Sequence, residues 1–392
     1  MRRSYKSLLR PTSRQEASLR ACLEDTRQLY NAALEERREA WRMERQRVTF
    51  NSQDVQLKEI RADDPERYGR WSFNCERAAI RRLDRAFQGF FRRVKTGHKP
   101  GYPRFKGRGW WDSIEWSDKD GARWDSIPHP KITRVYLKGI GHVRVHQHRL
   151  VKGRVKTITA KREGDRWYVV LSCDDVPAEP LAPTNSTVGI DLGLVSFLTT
   201  SDGTHIANPR HLAANTERLT AAQRTLSRKK RGSGRREKAV RKIARLHGKV
   251  RRQRLDHAHK TALMLVREYD SIVHEKLQIA NMTSRPKPRP DSNGGYEPNG
   301  ATAKSSLNKS IHDAGWGIFL RILSAKAESA GRHVIAVDPR HTSQRCAHCG
   351  HIAAGNRVTQ AQFRCLACGH QAHADVNAAR NILRAGLVLQ EA

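Results

Sequence analysis

Two groups of residues in this sequence have types and spacings suited to chemistry. Cys346-Ala347-His348-Cys349 and Cys365-Leu366-Ala367-Cys368 are two C-x-x-C knuckles with fifteen residues between them. Each knuckle can offer two thiolates to one ion, and two knuckles complete a tetrahedral zinc site. His348, His351, His370 and His373 lie nearby, but four thiolates leave no open coordination position, so the expected zinc is structural. The other three cysteines, Cys22, Cys75 and Cys173, are scattered and read as small core residues. The second group is carboxylates. Asp191 ends the apolar run Val188-Gly189-Ile190 and precedes Gly193, Glu275 ends Ser271-Ile272-Val273-His274, and Asp375 opens the last helix. Three acids from separate elements, gathered at one sheet edge, suit two magnesium ions about 3.5–4 Å apart for in-line phosphodiester attack. Spacing alone leaves other roles open. Asp375 could be an N-cap, Asp191 a turn residue and Glu275 a surface acid, while Asp202 and Asp338 are further strand-end acids.

The chain around these groups has 392 residues and carries 74 basic against 39 acidic side chains, a net charge of +35. That excess makes a polyanion the natural partner, and nucleic acid the leading one. A hydrophobic content of 38% supports a packed core and argues against wholesale disorder. No apolar run approaches the ~20 residues that span a bilayer. The basic start, Met1 to Pro11, has no signal-like apolar core. The expected location is therefore the cytoplasm, with no membrane partner.

The pattern of residues places the elements. A helix is predicted over 12–45, with Ser13 and Glu16 at capping-box spacing, and a second over 74–96 with Ile80, Leu83, Phe87, Phe90 and Val94 on one stripe. The opposite face of this second helix holds Arg77, Arg81, Arg82, Arg85, Arg92 and Arg93, a candidate phosphate-contacting surface. Tyr102, Arg104 and Phe105 follow, in a proline-rich segment where aromatics alternate with bases, suited to a base-stacking loop or to a linker packed on the core. Strands are expected across 131–173, with a hairpin from Lys156–Lys161 to Trp167–Cys173, so that 100–180 reads as a small β-rich unit, expected to be a barrel. A new domain is expected near Ser186, with strands at 187–191, 196–200, 204–207, 271–275 and 333–337. Helices are expected at 211–270, 306–330 and 375–389, and a flexible connection or lid at 284–304. Within 228–254 stand fourteen lysines and arginines and one acid, Glu237, on a helix with a narrow apolar stripe. Lys229, Lys230, Arg235, Arg236, Arg241, Lys242, Arg245, Lys249 and Arg252 are its candidate nucleic-acid contacts, as are Arg81, Arg85 and Arg92 on the earlier helix. The order of elements suggests an RNase H-like α/β domain.

Several motifs, in order along the chain, carry a resemblance. They are Tyr30-Asn31-Ala32-Ala33-Leu34; Leu83-Asp84-Arg85-Ala86-Phe87 through Gly101-Tyr102-Pro103-Arg104-Phe105; and Gly189-Ile190-Asp191-Leu192-Gly193. Glu275-Lys276-Leu277, Thr342-Ser343-Gln344 ahead of Cys346, and Asp375-Val376-Asn377-Ala378-Ala379-Arg380-Asn381-Ile382 complete the set. In these the chain resembles the TnpB family, RNA-guided nucleases of insertion sequences related to compact type V CRISPR effectors. The resemblance implies a multidomain α+β protein. A wedge-like β-barrel would take 1–10 and 97–185, a helical recognition lobe 11–96, a RuvC-like nuclease domain 186–340 and 370–392, and a zinc-ribbon insertion 341–369. It further implies that Asp191, Glu275 and Asp375 are the catalytic magnesium ligands, and that the partners are a guide RNA from the transposon end and double-stranded target DNA beside a short adjacent motif. One position departs from the family, which often has Asp two residues before the last catalytic acid, where this chain has His373. The implied function is RNA-guided DNA cleavage, and the alternative is an RNA-guided regulator that binds without cutting.

Overall fold

A computed structural model describes residues 1–125, 127, 132–292 and 294–391. Lys131, at the start of the expected strand region, and Asn293, in the expected connection, lie outside the described residues. The chain divides into two compact units, Met1–Pro177 and Ala178–Ala392.

In the first unit, strand β1 (Arg3–Arg10) leads into helix α1 (Ser13–Glu44). Thr12, not Ser13, caps α1: its Oγ1 accepts the Gln15 N–H at 3.3 Å, and Gln15 Oε1 accepts the Thr12 N–H at 3.1 Å. The capping box therefore lies one residue earlier than the Ser13–Glu16 spacing suggested, because the extended residue is Thr12. Helix α2 (Phe50–Asp63) has no counterpart among the sequence expectations. It buries only Gln53 and Leu57, too few residues to leave a readable apolar stripe. Helix α3 (Phe73–Lys95) buries Ile80, Leu83 and Phe87 as the periodicity predicts.

Strands β2 (Ser113–Asp118), β3 (Gly121–Trp124), β4 (Thr133–Leu137), β5 (Gly141–His146), β6 (Arg154–Glu163) and β7 (Arg166–Asp174) follow. With β1 they close a barrel in the order β1-β5-β4-β3-β2-β6-β7, and closure removes the exposed sheet edges that would otherwise invite pairing with another chain. Strand structure starts at Ser113, earlier than the expected 131, because the tryptophan-rich stretch is itself pleated. Trp116 points into the core, together with Val135, Val143, Ile158, Trp167 and Leu171. Cys22, Cys75 and Cys173 are buried in the same core.

The second unit is built on a five-stranded sheet of β8 (Thr187–Leu192), β9 (Ser196–Thr200), β10 (His205–Ala207), β11 (Ser271–Glu275) and, after the helices below, β14 (His333–Val337). The order is β10-β9-β8-β11-β14, with β8, β11 and β14 parallel and β9 antiparallel to both its neighbours. The expected helical region 211–270 is two helices, α4 (Thr216–Ser227) and α5 (Gly234–Glu268), that pack on each other. A short α6 (Ile279–Met282) precedes the expected connection, and a two-residue ladder of β12 (Arg289–Pro290) with β13 (Tyr296–Glu297) lies within it. The expected helix 306–330 is likewise two, α7 (Ala301–Ala314) and α8 (Trp316–Ala330), broken at Gly315, whose φ of +72° closes one helix and opens the next. A small hairpin, β15 (Gln362–Arg364) with β16 (Gln371–His373), precedes the last helix, α9 (Ala374–Glu391).

The sheet has two covered faces, as its near-continuous apolar parallel strands require. On one face, Val188, Ile190 and Ile272 pack with Ala262 and Leu265 of α5 and Phe319 and Leu323 of α8. On the other, Val273 and Val337 pack with Ile382 of α9.

Candidate active site and cysteine cluster

Side chains alternate between the faces of a strand, so the residues flanking Val188 and Ile190 on β8 turn to the α9 face. These are Gly189 and Asp191. On β11 the same alternation places Glu275 on the face of Val273. The parallel register pairs Val273 with Gly189 and His274 with Ile190, which brings Glu275 and Asp191 side by side at the carboxyl ends of adjacent strands. Glycine sets how near α9 comes. A Cβ on Gly189 would stand 2.1 Å from the Ala379 carbonyl oxygen, and one on Gly386 of α9 would stand 2.4 Å from Val273. With no side chain at either position α9 lies directly on β8 and β11, and its first turn delivers Asp375 to the same strand ends.

The three expected acids are thus brought together, and the electrostatics register it. Burial, then the negative charges of Glu275 and Asp375, push the Asp191 carboxyl up to about 7. Burial also raises Glu275, opposed by a hydrogen bond from the Thr342 hydroxyl. Arg357 reaches Asp375 with its Nη2 3.0 Å from Oδ1, and its charge partly offsets the rise at Asp191. Asp375 is the second residue of α9 rather than its N-cap; its N–H donates to His373 Nδ1 at 3.3 Å. Hard carboxylate oxygens that repel one another in a half-buried site fit a divalent cation. The other acids are used elsewhere. Asp202 accepts from Thr200 and from the Tyr269 hydroxyl, closing a turn, and Asp338 accepts the Arg340 N–H at 3.0 Å.

The four cysteines form one cluster whose sulfurs all lie within 4.8 Å of one another. Cys349 and Cys365 Sγ are 3.5 Å apart, and Cys346 and Cys368 Sγ 3.8 Å. A tetrahedral zinc with bonds near 2.3 Å sets its sulfurs about 3.8 Å apart, so the spacing fits the ion. The two knuckles share one backbone pattern, with Cys346 N–H to His351 O and Gly350 N–H to Cys346 O matched by Cys365 N–H to His370 O and Gly369 N–H to Cys365 O. The N–H groups of Cys368 and Ala367 lower the Cys365 thiol to about 6, toward the thiolate a metal takes.

Asparagines tie this cluster to α9. Buried Asn377 accepts the Ala347 N–H at 2.9 Å and donates to Arg345 O at 2.8 Å; Asn381 donates to Thr342 O and Arg345 O at 2.9 and 2.6 Å. Asn356, fully buried, bridges the two knuckles through Gln344 O and the Leu366 N–H. Thr342, Arg357, Asn356, Asn377 and Asn381 are site residues that charge and spacing did not single out. The i, i+4 placement of Asn377 and Asn381, on the helix that carries Asp375, was the available signal.

The expected nucleic-acid contacts divide. On α3, Arg77 pairs with Asp54 at 2.8 Å, Arg82 packs over Trp111, Arg85 lies 3.7 Å from Glu115, and Arg93 donates to the carbonyls of Pro100 and Gly101. Much of that basic face therefore holds the fold together, while Arg92 remains exposed and Arg81 stacks over Phe50. Tyr102 packs edge-on against Phe87 and Phe90, and Phe105 lies under Arg38; Arg104 is exposed. Arg236 closes the α4–α5 turn on the carbonyls of Leu226 and Lys229, the latter residue being half-buried. Lys230, Arg235, Arg241, Lys242, Arg245, Lys249 and Arg252 are exposed.

A half-buried carboxylate cluster at the carboxyl ends of parallel strands, in a strongly basic protein, is the kind of site found in metal-dependent enzymes of nucleic acids. Residues 168–285 match a family described as "Probable transposase", and 316–382 match the "Cas12f1-like, TNB domain". Residues 1–46 match a family described as a helix-turn-helix domain, although here they form one strand and one long helix. The chain is 34% identical, over 98% of its length and 92% of the relative's, to "Putative RNA-guided DNA endonuclease InsQ" of Escherichia coli (strain K12). It is 31% identical, over 99% of its length and 90% of the relative's, to a "Putative RNA-guided DNA endonuclease" of Streptomyces pristinaespiralis. The chain belongs to the TnpB family. Its fold is shared with the Cas12f1 protein of a Cas12f1–sgRNA–target DNA complex (TM-score 0.59, 15% identity, 94% of this chain and 82% of that one). It is shared also with the mini-RNA-guided endonuclease CRISPR-Cas_phi3 (TM-score 0.50, 11% identity, 99% and 92%).

Proposed function

We propose that the protein is an RNA-guided DNA endonuclease that cuts double-stranded DNA beside a short target-adjacent motif. The observation that carries this reading is the convergence of Asp191, Glu275 and Asp375, close enough for the charges of Glu275 and Asp375 to add to the rise that burial gives the Asp191 carboxyl. The names of the full-length relatives support it. So does the sheet order, three parallel strands flanked by an antiparallel one, which suits an RNase H-like, RuvC-like nuclease domain.

Asp191, Glu275 and Asp375 would hold magnesium, which when bound supplies an activated water and stabilises the leaving oxygen in phosphodiester hydrolysis. Thr342 keeps the Glu275 carboxylate oriented through its hydrogen bond. Arg357 balances the charge of Asp375. Cys346, Cys349, Cys365 and Cys368 would hold a structural zinc that anchors the loop carrying both Thr342 and Arg357. The barrel, residues 1–10 and 97–185, is read as a wedge-like domain and 11–96 as a recognition lobe. Exposed bases on α5, among them Arg241, Lys242, Lys249 and Arg252, and Lys230 just before it, would grip phosphates, while base pairing with a guide RNA from the transposon end selects the target. A cytoplasmic location fits this role. Among the described residues, no helix is long and apolar enough to cross a membrane.

The regulator that binds without cutting has less support, because all three acids are present and gathered. The test is to sequence the RNA that copurifies with the full chain, then challenge the complex in magnesium with plasmids matching that RNA beside randomised flanks. Cleavage restricted to matched plasmids with one flank class is expected. Matched plasmids bound but intact would favour the regulator, and cleavage without RNA would overturn both readings.

A further inference from the structure

The helical part of the first unit encloses a cavity of about 800 Å³ between the end of α1, the start of α2 and the second half of α3. Nothing in the proposed cleavage chemistry uses it. Its walls are aromatic: Trp41, Phe87, Phe90, Phe91 and Tyr102. The rings fix one another, with Tyr102 edge-on to Phe87 at 5.5 Å and to Phe90 at 5.3 Å, and Phe91 5.1 Å from Phe90. Yet Trp41 is 54% exposed and Phe91 56%. Ordered aromatic faces left open beside a cavity mark a binding surface rather than an unfinished core.

A buried charge lines the same cavity. The Arg37 side chain is only 7% exposed. Its Nε donates to Gln53 at 2.9 Å and its Nη1 to Asp84 at 3.3 Å, but its buried Nη2 has no hydrogen-bond partner. The buried guanidinium thereby holds Gln53 in place, and with it Asp84 at the cavity's polar edge. Asp84 and Gln88, hydrogen-bonded to each other at 2.6 Å, add an acceptor and a further polar group to the lining. Open aromatic faces with a donor and an acceptor at their edge are what a nucleobase needs, stacked on its face and hydrogen-bonded along its rim.

The surrounding charge selects among occupants. Arg47 lines the cavity and Arg45 lies over the Trp41 ring at 5.7 Å, so a second copy docking by the same face would set arginine against arginine. A strand of bases joined by phosphates satisfies both the rings and the charges. Loops and ends of a folded RNA present bases already unstacked, whereas duplex DNA must first break its stacking.

We propose that this cavity receives an unpaired nucleobase of the bound RNA, stacked on Trp41 and Phe91, with its edge read by Gln88 and Asp84 and its phosphate on Arg47. The proposal rests on the RNA-binding part of the function proposed above. The probe is the copurifying RNA, transcribed with 4-thiouridine, with a single-stranded DNA of the same sequence carrying 4-thiothymidine as the second arm. RNA crosslinks on the peptides of Trp41 and Phe91 are expected. Trp41→Ala with Phe91→Ala should weaken RNA binding roughly ten- to a hundredfold and leave the salt slope of binding unchanged. Arg47→Ala, which removes no ring, should lower that slope by about one; it keeps the test open if the double variant fails to fold. Unchanged RNA affinity in folded variants, crosslinks from the DNA arm alone, or a variant-dependent change in oligomeric state would each overturn the proposal. Wild-type protein that binds no RNA would overturn it together with the RNA-guided reading, whereas binding that the folded double variant retains overturns this proposal alone.

Discussion

Replacing Asp191 by Asn should stabilise the metal-free protein by an amount that grows above about pH 4 and is complete near pH 7. Its carboxyl is raised from 3.8 to about 7 by burial and by Glu275 and Asp375. Between those two values the folded state holds a proton that the unfolded chain has released, so stability falls as pH rises through the window and stays low above it. Three units at about 1.4 kcal/mol each give an upper figure of about 4 kcal/mol above pH 7. Asn is neutral throughout and nearly the same shape, so the variant escapes this loss. At pH 4, where the native acid is already protonated, the two proteins should differ by less than about 1 kcal/mol. Thermal unfolding in EDTA at pH 4 and pH 8 measures it. A gain of about 2–4 °C per kcal/mol is expected at pH 8, with little change at pH 4. Ten millimolar magnesium should then raise the midpoint of the wild type and not that of Asp191→Asn. An equal shift at both pH values, or a loss at pH 8, would refute the claim that burial and the neighbouring acids raise the Asp191 carboxyl in the folded protein.

Arg357→Ala removes the cation that neutralises Asp375 in the absence of metal, so affinity for Mn²⁺, read by calorimetry, should rise several-fold; unchanged affinity would mean the arginine does not compete for the site. Cys346→Ser or Cys365→Ser should each lower zinc content well below one ion per chain, and normal stoichiometry in both would remove the four-cysteine site. Alanine at Lys230, Arg241, Lys242, Lys249 and Arg252 together should flatten the salt dependence of nucleic-acid binding, by about 0.7–0.9 in log–log slope for each phosphate no longer neutralised. An unaltered slope would make that face of α5 ordinary solvated surface.

The parts legible in the sequence were those with strong local signatures. Ser271–Glu275 and His333–Val337 are strands to the residue, because each is a short run centred on β-branched residues, Ile272-Val273 and Val334-Ile335, that fit a pleated strand. Asp191 and Glu275 stand out for the same reason: each is an acid at the end of such a run. Tertiary geometry hid the rest. Nothing local says that Gly189 is bare so that α9 can lie on β8, or that Arg357, outside the knuckles, reaches Asp375. The α3 arginines show the limit of counting charges, since Arg77 and Arg82, held by Asp54 and Trp111, look no different in sequence from the exposed Arg92. The break at Gly315 and the unheralded α2 show that periodicity sees apolar stripes, not where a helix stops or how sparsely one can be anchored.

Whether Asp191, Glu275 and Asp375 form one cutting site in an RNA-guided protein is tested most directly by single-turnover kinetics. The measurement is the cleavage rate of an RNA-matched duplex by Asp191→Asn, Glu275→Gln and Asp375→Asn, each first shown to bind the RNA as the wild type does. Every variant should lose at least about a thousandfold in rate with RNA binding intact. Cleavage near the wild-type rate by any one of them would contradict a single three-acid site.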